Sequence, residues 1–491
     1  MTIAPATQEI APSSADVTTG EVAAPQEAAA PSVNLVTSGN PYRVILKLAL
    51  PTVGAMLLQN VVNIVDMYRF GKLSEADATA ADAVFFPSLV ILWIFGGSLS
   101  AISVGTQAFS GRRYAEQRYG DAGGVLLNAL TVAGVLGLLF TGLAYLFKGP
   151  LLGALCPDPH AREAAEHFLG IRLLSIPSMA ATFALKAFFD GVGKTGVHFV
   201  ASAIMNTVNV ALSWVLITGA EPLGIAPMGF VGAAVSGTVA TYLGLVIMLG
   251  FMLAPAYRKR YHFFDFRKFS RRLTWDVVKL SIPGGLATVA VMSGFLVFAG
   301  IASKLDDGST IGPINGAATT LVVTVMKLTF FACLAFGTST ATLVSQALGE
   351  RDPDKAARFG WSSVKLGIVV FGVVGVVEAL AARPLLGLFQ NSDAVLDAAT
   401  GPFRLMGIIT PLIATGMILT QALFGAGATK YVMVAELLLH FTCLVPLAWL
   451  LGLRLDLGLM GVWSAAVAYI VGLALAMGIK FKLGGWKRIR L

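Results

Sequence analysis

Long apolar stretches alternate with short polar ones from about residue 43 to the end of the chain. Each stretch is longer than the roughly 20 residues that a helix needs to cross a bilayer. Twelve such stretches are present, at approximately 43–69, 81–109, 122–147, 164–189, 196–219, 228–254, 277–303, 314–346, 361–389, 400–424, 431–453 and 459–482. The pattern predicts an all-α membrane protein with twelve transmembrane helices.

The second half of the chain repeats landmarks of the first half in the same order. Five pairs recur at offsets of 232 to 239 residues: Pro51 and Pro283, Gln107 and Gln346, Pro177 and Pro411, Gly191 and Gly425, Gly229 and Gly461. Six spans is an even number, so both halves enter the membrane from the same side, and the repeats are parallel. We expect two six-helix bundles around a central cleft. They comprise residues 41–254 and 277–483.

Composition excludes an ordinary soluble domain, because 56% of the residues are hydrophobic and only 13% are charged. The net charge of +8 comes from basic residues between the spans, so it does not indicate nucleic-acid binding. Basic residues are densest in the linker 255–276, and more follow in the tail 484–491. The positive-inside rule therefore places both termini and the linker in the cytoplasm, in a cell (inner) membrane. Residues 1–40 are polar, lack Lys and Arg, and predict a disordered tail.

The first span carries polar residues where lipid contact favours Leu: Gln59, Asn63 and Asp66. A carboxylate on a membrane helix costs about 2.5–3.5 kcal/mol on insertion scales, so it normally faces a cavity or a partner. Asp66 therefore has two interpretations. It pairs with Arg69, three residues on, or it carries a proton or metal cation during transport.

Two further ionisable residues have a local and a functional interpretation. Asp190 follows Lys186 by one helical turn, which favours a helix-end ion pair, but it could also contribute a carboxylate to a cation site. Lys327 lies deep in the eighth span, where it either binds an anionic group of a substrate or pairs with a carboxylate.

Acidic residues of the second half also have alternative interpretations. Glu436 and His440 are four residues apart and share a helix face, which suits a proton relay or a packed hydrogen-bonded pair. Glu378 lies five residues before Arg383, and we expect the two to form an ion pair at the outer rim.

Several motifs resemble the multidrug and toxic compound extrusion (MATE) family. They are VDMYRFGKL at the end of the first span, GTQAFSGR and VSQALGER at the ends of the second and eighth spans, FFDGVGKT, VNVALSW and GFVGAAVS. Members are antiporters that expel organic cations or other amphiphiles in exchange for sodium ions or protons. The resemblance implies a membrane transporter, with a small molecule and H⁺ or Na⁺ as its ligands.

The same resemblance indicates candidate site residues. Asp66 matches the acidic residue of the family's first span, and Asn209 matches an Asn of its amino-terminal cation site. Ser213 stands where one branch has a carboxylate, and Val291 and Ile413 stand where another branch has them. The predicted cation-coupling residues are Asp66, Asn209, Asn63 and Asp190. The predicted substrate-binding residues are Gln59, Lys327 and Glu436.

Other functions fit the sequence less well. A flippase for lipid-linked sugars or an exporter of organic anions is the alternative. A flippase would have a broadly basic cavity and often two further spans, whereas this chain has one interior Lys and twelve spans. The loop GRRYAEQRYGD lacks the Asp-Arg that major-facilitator transporters usually have there. No HExxH, P-loop or GxSxG occurs in a plausible context, so we expect no enzymatic activity, cofactor or metal site. We expect a monomer.

Overall fold

The structure is a computed structural model that describes residues 37–70, 88–155, 159–220, 224–307, 312–489 and 491. Residues 1–36, which form most of the predicted tail, lie outside this set. The side chains of residues 61, 63, 64, 66–70, 154, 155 and 159–161 lie outside it as well. The domain boundaries predicted from the sequence stay predictions.

Helices account for nearly all of the described chain. Eleven single helices and one bent pair of helices are long enough to be spans. They are α1 Pro41–Phe70, α2 Ser88–Ala115, α3 Tyr119–Leu155, α4 Pro159–Leu173 with Ile176–Gly191, α5 Thr195–Thr218, α6 Phe230–Leu253, α7 Arg271–Lys304, α8 Ile314–Gly349, α9 Pro353–Leu380, α10 Asp393–Ala426, α11 Thr429–Arg454 and α12 Gly458–Leu483. Within the described residues, eleven helices are long and apolar enough to cross a membrane, and α4 makes twelve if its two parts form one span. The chain is an all-helical, multi-pass membrane protein, as predicted.

The fourth span is broken rather than continuous. Its two parts meet at an angle of 41°. Pro177 lies in the first turn of the second part, has no N–H to donate to the helix, and restricts the conformation of Ile176. At the break, the Ser175 hydroxyl donates a hydrogen bond to the carbonyl of Arg172 at 2.6 Å. The repeat partner Pro411 lies inside α10, which stays one helix.

The helices of each half pack mainly on one another. In the first half, α5 packs on α1 and α6, and α4 packs on α2 and α3. In the second half, α10 packs on α8, α9 and α12, while α7 packs on α11. The halves meet through α1 and α2 of the first and α7 and α8 of the second. The contacts therefore follow the internal repeat.

The basic segment between α6 and α7 is folded against the first half. Residues Pro255–Tyr261 form a short helix, and Tyr261 packs edge-on against Phe188 of α4. Lys268 pairs with Asp121 of α3 at 3.0 Å. Burial raises the pKa of the Tyr261 phenol above its usual value. This segment marks one end of the bundle, which we call the linker end.

Candidate functional site

Helices α1 and α5 approach closely near the linker end. A methyl group added to Gly54 would lie 2.8 Å from Phe199 Cε2, so the α1 backbone lies directly against the Phe199 ring. Both helices run away from the linker end from this point. Asp66 lies about 18 Å further along α1, and Asn209 lies about 15 Å further along α5, at 1.5 Å of rise per residue. The backbones therefore place Asp66 and Asn209 at similar heights on neighbouring helices.

Two asparagines of α5 are buried with unsatisfied amide groups. Asn206 is 4% exposed and Asn209 is 8% exposed. Among the described residues, both amide atoms of Asn206 and Oδ1 of Asn209 have no hydrogen-bond partner. Leaving a buried polar group unsatisfied costs about 1–3 kcal/mol, so such groups indicate a missing partner or ligand.

The side chains of Asn63 and Asp66 are not among those described, so their pairing with α5, and that of Asp66 with Arg69, stay predictions. Asn63 lies about 14 Å beyond Gly54 along α1, a height between those of Asn206 and Asn209. A carboxylate beside amide oxygens can bind a sodium ion, and a carboxyl group in a partly apolar site can also hold a proton, because desolvation disfavours its charged form. The arrangement suits either coupling ion.

Asp190 lies elsewhere in the first half. Its carboxylate is buried and pairs with Lys186 Nζ at 2.6 Å, as the four-residue spacing predicts. Asp190 is one residue from the linker end of α4, whereas Asn209 lies about 21 Å along α5 from its first residue Thr195. The structure therefore does not bring Asp190 beside Asn209.

Two of the predicted substrate-binding residues, Lys327 and Gln59, have exposed side chains. Lys327, Thr324 and Thr320 are all exposed and lie three or four residues apart, so they share one face of α8. Gln59 is exposed on α1, the helix of the first half that packs against α8. A Lys facing lipid near the middle of a span would be costly, so we expect this face of α8 to border water rather than lipid.

Glu436 and His440 of α11 lie together with Tyr469 of α12. The Tyr469 hydroxyl donates to Glu436 Oε2 at 2.9 Å, and His440 Nδ1 lies 3.4 Å from the same oxygen. Glu436 is 6% exposed and His440 is fully buried. Glu436 therefore lies inside the second half and does not line an open cleft surface. The four-residue spacing predicts the pairing with His440, but nothing in the sequence identifies Tyr469.

A seam of hydrogen bonds joins the two halves at the linker end. Gln346 Nε2 donates to Gly191 O at 2.7 Å, and Gln107 Nε2 donates to Thr338 O at 2.8 Å. Arg112 donates to Ala426 O at 2.9 Å and to Ile489 O at 2.8 Å. These bonds cross between the halves, so the structure is closed at the linker end. The two glutamines are repeat partners, and Arg112 is a contact that the sequence analysis missed.

Glu378 does not pair with Arg383, which corrects the sequence-based expectation. Its buried carboxylate accepts hydrogen bonds from the hydroxyl groups of Thr329 on α8 and Thr410 on α10. Arg383 instead pairs with Asp393 and Asp397. Within the described part of the chain, no cluster of three or more His, Cys, Asp or Glu residues could hold a metal ion.

The family model named MatE matches the chain twice, at residues 51–215 and 283–450. The two matches begin at the repeat partners Pro51 and Pro283, so they coincide with the internal duplication. The chain is 26% identical over 456 residues to a probable multidrug resistance protein NorM of Caulobacter vibrioides, covering 90% of this chain and 92% of that protein. It is 28% identical over 203 residues to the protein DETOXIFICATION 27 of Arabidopsis thaliana, covering 39% of each chain.

Solved structures share the fold. One is the outward-facing conformation of a multidrug resistance MATE family transporter of the MOP superfamily, with a TM-score of 0.80. It is 20% identical and covers 91% of this chain and 96% of that chain. A second is a MOP superfamily transporter of Pyrococcus furiosus described as having a binding pocket of reverse polarity. Its TM-score is 0.81 at 20% identity, over 92% of this chain and 96% of that chain.

Proposed function

Because the chain belongs to the MatE family of multidrug and toxic compound extrusion transporters, we propose that it exports small organic compounds in exchange for a proton or a sodium ion. The observation that carries the proposal is the pair of buried, unsatisfied amides of Asn206 and Asn209 at the height of Asp66. A cation that binds there would satisfy those groups and the carboxylate together. Membership of a transporter family also agrees with the expectation that the chain is not an enzyme.

Alternating access follows from two packed halves that part at one end at a time. The seam of Gln107, Gln346 and Arg112 closes the linker end in this structure. With the linker in the cytoplasm, the structure is closed toward the cytoplasm, and taking up substrate from that side requires the seam to open. Cation binding at Asp66 then favours the state that releases substrate outside, because substrate and cation compete for the same transporter.

The energy available from one proton is sufficient for useful export. Moving one charge down a potential of about 100 mV gains about 2.3 kcal/mol. One pH unit adds about 1.4 kcal/mol. The total of about 3.7 kcal/mol sustains a substrate gradient of a few hundredfold if one proton exchanges for one neutral molecule.

The proposal is tested by uptake of a fluorescent amphiphile into inverted membrane vesicles. The pH gradient and the sodium gradient are collapsed separately, with vesicles lacking the protein as the control. We expect uptake to stop when one of the two gradients is removed and to continue when the other is removed. Uptake that survives removal of both gradients would contradict ion-coupled export.

The exposed face of Lys327 favours a second candidate, an exporter of organic anions. A cation in the substrate path attracts an anionic group and repels a cationic one. Replacing Lys327 with Gln tests this directly in the same vesicles. If anions are the substrates, Lys327→Gln lowers uptake of an anionic dye and leaves a neutral one unchanged. If both dyes behave alike, Lys327 does not select substrate charge.

A further inference from the structure

The second half contains a buried group of titratable side chains that the proposed coupling site does not use. Glu436, His440 and Tyr469 meet where α11 packs on α12. Glu436 lies about 11 Å and His440 about 17 Å along α11 from Thr429, so the group lies within the membrane. A carboxylate in this position is expensive to keep unless it has a function or a partner of opposite charge.

The hydrogen bonds of His440 leave one of its nitrogens open. Nδ1 lies 2.9 Å from the carbonyl oxygen of Glu436 in the preceding turn, a contact that only an N–H can make favourable. Nδ1 therefore carries hydrogen, and in the neutral ring Nε2 carries a free lone pair. Nε2 is buried and has no hydrogen-bond partner among the described residues. The group can therefore accept a proton without losing a hydrogen bond.

The local backbone is unusual at the same place. Residues Leu439–Leu444 form a π-helical turn, which inserts one extra residue into α11. The repeat alignment shows the insertion: Gly191 matches Gly425 at an offset of 234, whereas Trp214 matches Trp449 at 235. Helices α7 and α11 also approach closely here. A methyl group on Gly294 of α7 would lie 2.5 Å from His440 Cδ2.

The internal repeat relates this group to the first-half site. At an offset of 234, Glu436 takes the place of Ser202 and His440 takes the place of Asn206. Asn206 is one of the two asparagines whose buried amides are unsatisfied. The two halves therefore place polar groups at matching positions on α5 and α11, but only the second half has titratable ones there.

The side chains favour a proton over a metal cation. Hard cations such as calcium take six to eight oxygen ligands, whereas this group offers one carboxylate, one phenol and an imidazole. The neighbouring titratable groups are few. Cys443 of α11 lies close enough to Tyr469 to interact electrostatically, and the nearest Lys residues of α7 in sequence, Lys279 and Lys304, lie toward its two ends. None of these groups is a second carboxylate, so none competes with Glu436 for a proton.

We propose that Glu436, with His440 and Tyr469, forms a proton-binding site in the second half, separate from the site at Asp66 and Asn209. The role of this proton-binding site rests on the proposed transport function, but proton binding itself can be detected without transport. A proton from solvent binds the carboxylate–imidazole pair and neutralises its charge, and no other bond forms or breaks. Because His440 lies against Gly294, the change in charge acts where α11 contacts α7, the helix that carries Pro283.

Infrared spectroscopy of the purified full-length protein in lipid nanodiscs tests proton binding without any substrate or gradient. A pH-difference spectrum reports the carbonyl stretch of each carboxyl group that gains a proton. We expect one such band to disappear in Glu436→Gln and to persist in Glu378→Gln, which replaces another buried carboxyl of the same half. Tyr469→Phe should shift the band, because it removes a hydrogen bond to the same carboxyl.

Three outcomes would overturn the proposal. The wild type shows no band from a buried carboxyl, Glu436→Gln retains every band, or Tyr469→Phe leaves the band unshifted. The Tyr469→Phe result decides the matter if Glu436→Gln fails to fold. If the wild type shows the band but does not transport, that result would instead count against the proposed function. The two failures are therefore distinguishable.

If the site takes part in coupling, it changes the number of protons exchanged per substrate. The pH gradient at which net substrate flux reverses measures this ratio in proteoliposomes. We expect Glu436→Gln to need a larger pH gradient for the same substrate gradient, because one proton fewer contributes. An unchanged reversal point would show that the second-half proton is not transported.

Discussion

Arg112 provides the most quantitative test of the closed seam. It is 6% exposed and donates two hydrogen bonds to backbone carbonyls of the second half, at Ala426 and Ile489. A hydrogen bond from a charged donor contributes about 1.5–3 kcal/mol net, so the pair contributes about 3 kcal/mol at the lower bound. Arg112→Gln retains one neutral hydrogen bond of about 1 kcal/mol. The closed state therefore loses about 2 kcal/mol relative to the open one.

This loss predicts a measurable shift in population. A change of about 1.4 kcal/mol is a factor of ten, so the fraction open at the linker end should rise about 30-fold. The reporter is Ser110→Cys, a buried position beside the seam, in a chain whose three native cysteines are replaced. A water-soluble thiol reagent reaches this reporter thiol only when the linker end opens, so its labelling rate follows the open population.

Arg113→Gln is the matched control. Arg113 is the next residue, but its ion pair with Glu116 at 3.5 Å stays within the first half. A partly exposed pair near the surface contributes about 0–1 kcal/mol, and because it lies within one half it does so equally in both states. The reasoning is refuted if Arg112→Gln leaves the labelling rate of the Ser110→Cys reporter unchanged, or if Arg113→Gln raises it by the same factor.

Three further predictions concern packing, the second-half carboxylate and topology. Gly294→Ala should lower the thermal unfolding temperature, because overpacking against His440 costs about 1–3 kcal/mol. Gly300→Ala is the control and should not lower it, because Gly300 has no neighbour within 4 Å. Glu378→Leu should destabilise the protein in the same assay by about 1–3 kcal/mol, because the buried Thr329 hydroxyl loses its acceptor, whereas the Thr410 hydroxyl keeps its hydrogen bond to the Met406 carbonyl. Arg383→Gln, at an exposed ion pair, should destabilise it much less. Equal losses would contradict the pairing of Glu378 with the two threonines. A cysteine replacing the exposed Phe266 should resist an impermeant thiol reagent in intact cells and react after permeabilisation; rapid labelling in intact cells would place the linker outside.

Local patterns in the sequence were sufficient for several features. Runs of apolar residues are sufficient to locate spans, because the bilayer thickness sets their length. Helical spacing of four residues predicts the Lys186–Asp190 pair and the shared face of Glu436 and His440, because residues one turn apart are neighbours in any helix. The order of five repeated landmarks predicts the duplication that the packing of the helices follows.

Contacts between helices were not predictable from the sequence alone. Glu378 was expected to pair with the nearest cation in sequence, but it found Thr329 and Thr410, which are 49 and 32 residues away. Tyr469 and Arg112 were missed for the same reason, since their partners are set by how helices are rotated and shifted against one another. The break before Pro177 and the intact helix at Pro411 show that a proline fixes a weak point, and that packing decides whether it bends.

The central claim is that Asp66 couples ion movement to export, and one comparison in proteoliposomes tests it directly. Exchange of labelled for unlabelled substrate at equilibrium requires a folded, moving transporter but no ion gradient. Accumulation of substrate requires coupling. We predict that Asp66→Asn retains exchange at close to the wild-type rate but loses gradient-driven accumulation more than about tenfold, the effect of about 1.4 kcal/mol of lost coupling. Accumulation at the wild-type level by Asp66→Asn, at matched protein content and exchange rate, would contradict the claim and leave Asp66 as a structural partner of Arg69.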